Sequence, residues 1–247
     1  MAAQPNKATS VALTATTADA GFALPARGAA ARTIARQAVL APPKSERLYR
    51  FISRTIDIAA AGIAIVIISP IILLTALAIK LTSPGPIFFR QARAGRDGKA
   101  FMMLKLRSMY SGADDDKVLF RNFNHLPTGP CFKMKNDPRV TTVGRWIRRT
   151  SIDELPQFWN VLTGDMALVG PRPLPLDEVQ TDTPEQRLRL SVKPGITCLW
   201  QVSGRTEIPY DEWLALDVWY IRNRSLALDF QIIIKTIPAV LSARGAY

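Results

Sequence analysis

The chain has 247 residues, with 32 Lys and Arg against 20 Asp and Glu, and its formal net charge is +12 at pH 7. This charge predicts an anionic partner, and nucleic acid, anionic lipid and a phosphorylated substrate are all compatible with it. The single histidine nearly excludes catalysis built on histidine, and the two cysteines indicate neither a disulfide framework nor a metal cluster.

Residues 1–45 are rich in Ala and Thr, and they carry scattered basic side chains without a sustained apolar block. A signal peptide would need a compact apolar region behind a basic start, so we expect a disordered tail here. The rest of the chain divides into a membrane region over residues 46–84 and a second domain over residues 85–247.

The strongest physical signal is the stretch from Ile58 to Ile79, in which no residue is charged. At about 1.5 Å per residue, a helix of this length covers a bilayer core of roughly 30 Å, so a simple transmembrane span is one interpretation. Ser69 and Pro70 fall near its middle, where proline removes a backbone hydrogen bond and serine can satisfy the freed carbonyl. Both flanks are basic, and basic flanks favour the cytoplasmic side. This favours a helix that is broken at Ser69 and Pro70 and re-enters the same face.

After the membrane region, residues 86–91 and 100–106 have the composition of two short strands, joined by turn residues at 95–98. Lys105 and Arg107 lie at the end of the second strand. On the residues alone, solvated charges at a strand end are the better interpretation of this pair.

Two adjacent carboxylates, Asp153 and Glu154, follow soon after the basic side chain of Arg148. Ser151 and Glu154 have the spacing of a capping box, and Pro156 suits the first position of a helix. The sequence therefore predicts that the carboxylates lie at a helix N-terminus, where anions are favoured and a phosphate can bind. Taken alone, the stretch is also compatible with an ordinary helix cap.

Arg172 lies between two prolines in the turn formed by residues 170–173. Prolines on both sides restrict the backbone and so fix the direction of the guanidinium. Further along, residues 213–220 and 230–241 carry apolar side chains at helical spacing. This spacing predicts either core helices or amphipathic helices at a membrane interface.

Taken together, five motifs resemble those of the bacterial monotopic phosphoglycosyl transferases, which start glycan assembly on polyprenyl phosphate. In chain order they are the Ser69-Pro70 pair and residues 105–109, 153–157, 170–173 and 193–197. The resemblance covers about residue 46 to the end and departs at Cys198, where the family usually has glycine. It implies an α+β fold, in which a membrane-embedded re-entrant helix precedes a small cytoplasmic catalytic domain of mixed helices and strands with interfacial amphipathic helices.

The resemblance also implies a reaction, namely transfer of a hexose-1-phosphate from a UDP-sugar to undecaprenyl phosphate with release of UMP. UDP-glucose or UDP-galactose is the expected donor, with a 2-acetamido sugar as the alternative. Asp153 would be the nucleophile, and Glu154 would hold Mg²⁺. The basic residues implied in donor binding are Lys105, Arg107, Arg148 and Arg172. The expected location is the cytoplasmic face of the bacterial inner membrane, and the number of copies in an assembly is left open.

Two other classes of protein are weighed against this enzyme. A membrane-anchored scaffold of a polysaccharide assembly system would need the basic face and the apolar element, but not the Asp153-Glu154 pair beside arginines. A nucleic-acid binder would match the positive charge, but the sequence contains no recognised reading motif and its basic residues cluster near the membrane segment. We therefore expect no nucleic-acid partner.

Overall fold

The computed structural model describes residues 46–125, 129–204 and 208–242, so the predicted tail over residues 1–45 lies outside it. The helices are α1 (Glu46–Thr82), α2 (Thr142–Arg149), α3 (Gln157–Thr163), α4 (Pro184–Arg189), α5 (Leu199–Ser203), α6 (Tyr210–Asn223) and α7 (Leu226–Leu241). The strands are β1 (Phe88–Ala94), β2 (Ala100–Leu106), β3 (Ala167–Val169) and β4 (Gly195–Thr197). Short 3₁₀ helices cover Arg96–Gly98, Asp115–Phe123, Ile152–Glu154 and Leu176–Glu178. This mixture of helices and small sheets confirms the α+β class.

The predicted hairpin is confirmed, because β1 and β2 pair in antiparallel fashion with Phe88 opposite Leu106. Its first strand is displaced towards the turn relative to the predicted residues 86–91. The turn is tight because the Gly95 N–H donates to the Lys99 carbonyl at 2.8 Å, which closes the hairpin around a single 3₁₀ turn.

The second sheet, of β3 and β4, is parallel and places Ala167 opposite Gly195. A side chain at Gly195 would put a Cβ atom 2.1 Å from the main-chain nitrogen of Gly170, so only glycine fits there. Since Gly170 begins the turn that carries Arg172, this sheet fixes where that turn starts.

Helix α1 runs for 37 residues and continues through Ser69 and Pro70. Pro70 has no N–H to donate to the carbonyl of Val66, and the Ser69 hydroxyl donates to that carbonyl at 2.8 Å instead. The predicted use of the serine is therefore confirmed. The helix does not end at this pair, so the expected break amounts to one missing main-chain hydrogen bond, and the path of α1 relative to a membrane stays a prediction.

The middle of α1 presents apolar side chains that no other described residue covers. Val66, Leu73 and Leu74 are 72%, 69% and 71% exposed, and only 11% of the most apolar stretch of the helix is buried. The helix is long and apolar enough to cross a membrane. An apolar surface of this extent is unfavourable in water, so α1 fits a membrane anchor better than a core helix.

The two ends of α1 nevertheless pack on the same domain. Before Pro70, Ala61 is fully buried in a cluster with Met103 of β2. After Pro70, Ile79 is buried with Ile147 of α2. The uncovered stretch is therefore bounded on both sides by contacts with one body.

Polar contacts reinforce the docking of the first half of α1. Arg54 donates to the carbonyls of Val161 and Leu162 at 2.6 and 2.9 Å, at the C-terminus of α3 where a cation is favoured. Asp57 accepts the N–H of Leu168 in β3 at 3.0 Å. These directional bonds fix the position of the first half of α1 on the domain.

The largest apolar core lies between α5, α6 and α7, where the rings of Trp200 and Trp213 stack with their centroids 4.2 Å apart. The two segments predicted to be helical near the C-terminus are confirmed as α6 and α7. Helix α6 is mostly buried, whereas α7 leaves Phe230, Ile237 and Leu241 exposed along one side. Whether this side lies on a membrane stays a prediction.

Candidate active site

The carboxylate pair lies in a 3₁₀ turn between α2 and α3. The predicted capping box is wrong, because Ser151 has a left-handed backbone (φ 58°) and its side chain makes no capping hydrogen bond. Pro156 directly precedes α3, within one residue of the predicted start. Asp153 and Glu154 therefore come before the regular helix instead of in its first turn.

Two basic side chains from distant parts of the chain hold Glu154. Lys105, near the end of β2, donates from Nζ to Oε1 at 2.9 Å. Arg172 donates from Nη1 to Oε2 at 3.2 Å and from Nη2 to Oε1. Burial alone would raise the pKa of the Glu154 carboxyl, but the charges and hydrogen bonds of Arg172 and Lys105 outweigh it and hold this pKa well below its usual range.

Asp153 lies beside Glu154 in a different environment. It is only 6% exposed, and in the part of the chain that the structure describes its carboxylate accepts no hydrogen bond. Burial raises the pKa of Asp153 to about 6, against the opposing charges of Lys105 and Arg148. Two neighbouring carboxylates whose pKa values move in opposite directions are suited to different tasks, one as a fixed anion and the other as a reactive group.

Both carboxylates line a cavity of about 410 Å³, within the range of small-molecule sites. Nine basic and five acidic residues line this cavity, so its charge favours an anionic ligand. Lys105, Arg148 and Arg172 all lie on its wall, together with the stacked tryptophans. The structure thus places around one cavity all the residues predicted to serve in catalysis and all four predicted to bind the donor.

Arg107 also borders the cavity, but its guanidinium is used elsewhere. Nη2 donates to the carbonyl and hydroxyl oxygens of Ser83, each at 2.8 Å, and Nη1 donates to the carbonyl of Pro84. A Cβ atom at Gly85 would lie 2.2 Å from Nη1, so the chain packs closely around it. Arg107 ties the end of α1 to the end of β2, and its predicted contact with substrate stays a prediction.

Sequence reasoning missed Arg93 and Arg189, which line the same cavity. Arg93 counted only as one of the basic residues beyond the membrane region, and Arg189 belongs to no motif. The main-chain carbonyls to which they donate are 80 and 17 residues away, so no local pattern could have revealed these contacts.

The fit of the site to Mg²⁺ depends on the carboxylate pair. Within the described ranges, no group of three or more His, Cys, Asp and Glu side chains could hold a metal ion. Mg²⁺ commonly binds through one or two carboxylates and completes its shell with water and substrate phosphates. The residues therefore fit an ion that arrives with a phosphorylated ligand, and not one caged by the protein alone.

A basic cavity around a carboxylate pair, on a domain docked to a long apolar helix, defines a membrane-anchored protein with a site for an anionic ligand. The family model described as bacterial sugar transferase matches residues 48–243. The chain belongs to the bacterial sugar transferase family.

The names of several relatives describe an activity. The chain is 43% identical over 209 residues to the undecaprenyl-phosphate galactose phosphotransferase of Salmonella typhimurium, a match that covers 82% of this chain and 43% of that protein. It is 41% identical over 202 residues to the UDP-glucose:undecaprenyl-phosphate glucose-1-phosphate transferase of Caulobacter vibrioides, covering 78% and 71%. It is 40% identical over 199 residues to the exopolysaccharide production protein ExoY of Rhizobium meliloti, covering 78% and 87%. The chain thus spans less than half of the Salmonella protein and most of ExoY.

Proposed function

We propose that this chain transfers a hexose-1-phosphate from a UDP-sugar to undecaprenyl phosphate, releases UMP and so initiates the assembly of an exopolysaccharide or another glycan. The names of its relatives support this substrate pair. The single observation that carries the proposal is the contrast between the carboxylates, since Asp153 is buried without a hydrogen-bond donor beside a firmly clamped Glu154.

In the proposed first step, an oxygen of Asp153 attacks the phosphorus that bears the sugar. A bond forms between that oxygen and phosphorus, and the bond from phosphorus to the bridging oxygen of the diphosphate breaks, so the bridging oxygen leaves with UMP. In the second step, an oxygen of undecaprenyl phosphate attacks the same phosphorus, and the bond to Asp153 breaks. The products are undecaprenyl diphosphate-linked sugar and the free carboxylate.

The surrounding cations suit this chemistry, because phosphoryl transfer between anions depends on positioning and charge neutralisation. Arg172 and Lys105 would bind the diphosphate from the side of Glu154, and Arg148 would do so from the end of α2. Glu154, with Asp153 nearby, would hold Mg²⁺, which supplies positive charge to phosphate oxygens when bound. With a pKa of about 6, Asp153 is mostly ionised at neutral pH, as a nucleophile must be.

The membrane topology forms part of the proposal. Ala61 and Ile79 contact the same domain, and the 18 helical steps from one to the other would rise only about 27 Å, less than a bilayer core of about 30 Å. A span would have to separate these two contacts across the membrane. We therefore favour an α1 that enters and leaves by the cytoplasmic face of the bacterial inner membrane, with the exposed side of α7 at the interface.

A donor panel tests the activity. Purified protein in undecaprenyl phosphate-containing micelles with Mg²⁺ receives UDP-glucose, UDP-galactose or a UDP-2-acetamido sugar, and UMP release is measured. We expect one donor to support turnover in the native chain and none to do so in Asp153→Asn. Absence of UMP release with every donor would contradict the proposal and favour a membrane-anchored scaffold of a polysaccharide assembly system.

A further inference from the structure

The main chain around Arg172 is held at every carbonyl from residue 171 to residue 174. The outer two, of Pro171 and Leu174, accept from main-chain N–H groups at 3.0 Å each. The inner two accept from guanidinium groups. The carbonyl of Arg172 accepts from Arg189 at 2.6 Å, and that of Pro173 accepts from Arg93 at 2.9 Å. Since two residues of this segment are prolines without an N–H, these carbonyl bonds are the main means of fixing its position.

Arg189 is itself fixed by a buried carboxylate. Its Nε donates to Asp217 Oδ2 at 2.6 Å, and the two residues are 8% and 1% exposed. A buried ion pair is often no more stabilising than apolar side chains of similar volume, so stability alone does not account for this pair. The planar guanidinium reaches Asp217 from Nε and the Arg172 carbonyl from Nη2, which a lysine ammonium cannot do in the same geometry.

Arg93 plays the same part on the opposite side. Its Nη2 donates to Gln91 Oε1 at 2.6 Å, while Nη1 reaches the carbonyl of Pro173. Burial and the neighbouring charge of Arg172 lower the pKa of Arg93 to about 10, so it stays charged at neutral pH. Arg93 and Arg172 are thus two cations held close together, which costs electrostatic energy. The hydrogen bond from Arg93 to the carbonyl of Pro173 explains why they are neighbours.

We propose that Arg189, oriented by Asp217, and Arg93 are positioning residues that hold the main chain of Arg172, so that its guanidinium meets Glu154 and the donor diphosphate. This inference rests on the proposed function for the identity of the donor. The physical basis of the proposal is that the guanidiniums of Arg189 and Arg93 bind two successive carbonyls of this segment. A misplacement of about 1 Å in a group that binds the reacting phosphate is enough to lower turnover about 100-fold.

Conservative lysine variants test the proposal. Arg189→Lys keeps a cation for Asp217 but cannot bridge to the Arg172 carbonyl, so we expect kcat to fall about 10- to 100-fold with a smaller change in KM. Arg93→Lys should act in the same direction. The matched controls are Arg187→Lys, on the same helix and bonded to the carbonyls of residues 181 and 182, and Arg90→Lys on the exposed face of β1. Both controls should retain native kcat.

A double-mutant cycle separates positioning from direct contact with the donor. If Arg189 acts through Arg172, then Arg189→Lys should lower kcat in the native background and change it less than about twofold in Arg172→Ala. Equal losses in both backgrounds, or a native kcat in both lysine variants, would overturn the proposal. Thermal unfolding verifies that each variant folds, and Arg93→Lys carries the same cycle if Arg189→Lys does not fold.

Binding of inorganic pyrophosphate keeps this test independent of turnover. Calorimetry on the detergent-solubilised chain should show weaker pyrophosphate binding in Arg189→Lys, by about fivefold or more, and no further weakening when Arg172 is already alanine. If the native chain releases no UMP from any donor, the proposed function fails, and the pyrophosphate cycle still decides whether Arg189 positions Arg172. Undiminished pyrophosphate affinity in both lysine variants would contradict the positioning of Arg172.

Discussion

The hydrogen bond from Ser69 to the carbonyl of Val66 predicts an energetic coupling between Ser69 and Pro70. In the native chain that carbonyl depends on the serine, because Pro70 has no N–H to offer it. Ser69→Ala removes the donor from a helix face that the rest of the protein leaves uncovered. In Pro70→Ala, the new N–H takes over the carbonyl, and the serine becomes dispensable.

The magnitude follows from the surroundings of the helix. A carbonyl that has no hydrogen-bond donor in hydrocarbon costs several kcal/mol at most. Measured side-chain hydrogen bonds in a membrane protein contribute about 0.6 kcal/mol on average and about 1.7 kcal/mol at most. We therefore expect Ser69→Ala to lower the free energy of unfolding by about 1 to 2 kcal/mol in the native background and by less than about 0.5 kcal/mol beside Pro70→Ala. The coupling exceeds the error of about 0.3 to 0.5 kcal/mol with which independent sites add.

Unfolding of the four proteins of this cycle in detergent micelles, followed by circular dichroism, measures the coupling. Thr55→Val is the matched control, since Thr55 also donates to a carbonyl of α1, at 3.1 Å, but that carbonyl keeps its main-chain N–H donor. Equal losses from Ser69→Ala in both backgrounds would refute the reasoning. Pro70→Ala alone should stabilise the helix, because proline is about 3 kcal/mol less favourable than alanine in a helix interior. It should also lower transfer activity by favouring a spanning path.

Three further predictions concern the reaction and the membrane. Incubation with donor and Mg²⁺ but without acceptor should add the mass of one hexose phosphate to the intact protein, at Asp153. The variant Asp153→Asn should show no adduct. Sequential kinetics without an adduct would show that Asp153 is not the nucleophile. Glu154→Gln should abolish Mg²⁺-dependent turnover while the chain stays folded and membrane-bound, and undiminished turnover in excess EDTA would remove the metal from the mechanism. If both ends of α1 lie on the same side of the membrane, Arg47→Cys and Thr82→Cys should react equally with an impermeant thiol reagent in oriented vesicles. The native cysteines within the described ranges are buried, so they should add little background reaction. Reaction of only one of the two variants would indicate a span.

Local patterns predicted the parts of the fold that depend on neighbours in sequence. The hairpin follows from two short apolar segments around turn residues, and the bond from Ser69 follows from the proline beside it. The capping box failed because Ser151 has a left-handed backbone, while the side chain of Glu154 is taken by two distant cations. A capping pattern carries no information about such competitors.

The groups that hold the main chain of Arg172 could not be predicted from local sequence patterns for the same reason. The prolines beside Arg172 predicted a restricted backbone, but they carried no information about the groups that hold it. Arg189 and Arg93 reach their carbonyl partners from 17 and 80 residues away. The resemblance implied that Arg107 binds the donor; Arg107 borders the cavity, but its guanidinium is bonded to Ser83, just after α1. Which of several arginines faces a ligand and which holds the main chain is decided only by tertiary packing.

The docking of α1 on both sides of Pro70 has a consequence for how the protein meets a lipid. The helix is joined to the domain on both sides of Pro70, by Arg54, Asp57 and Ala61 before it and by Ile79 after it. The depth to which the helix sinks into the bilayer therefore sets the height of the cavity above it. In the proposed re-entrant topology, a lipid phosphate in the cytoplasmic leaflet would reach the cavity by lateral diffusion in two dimensions, at a fixed level.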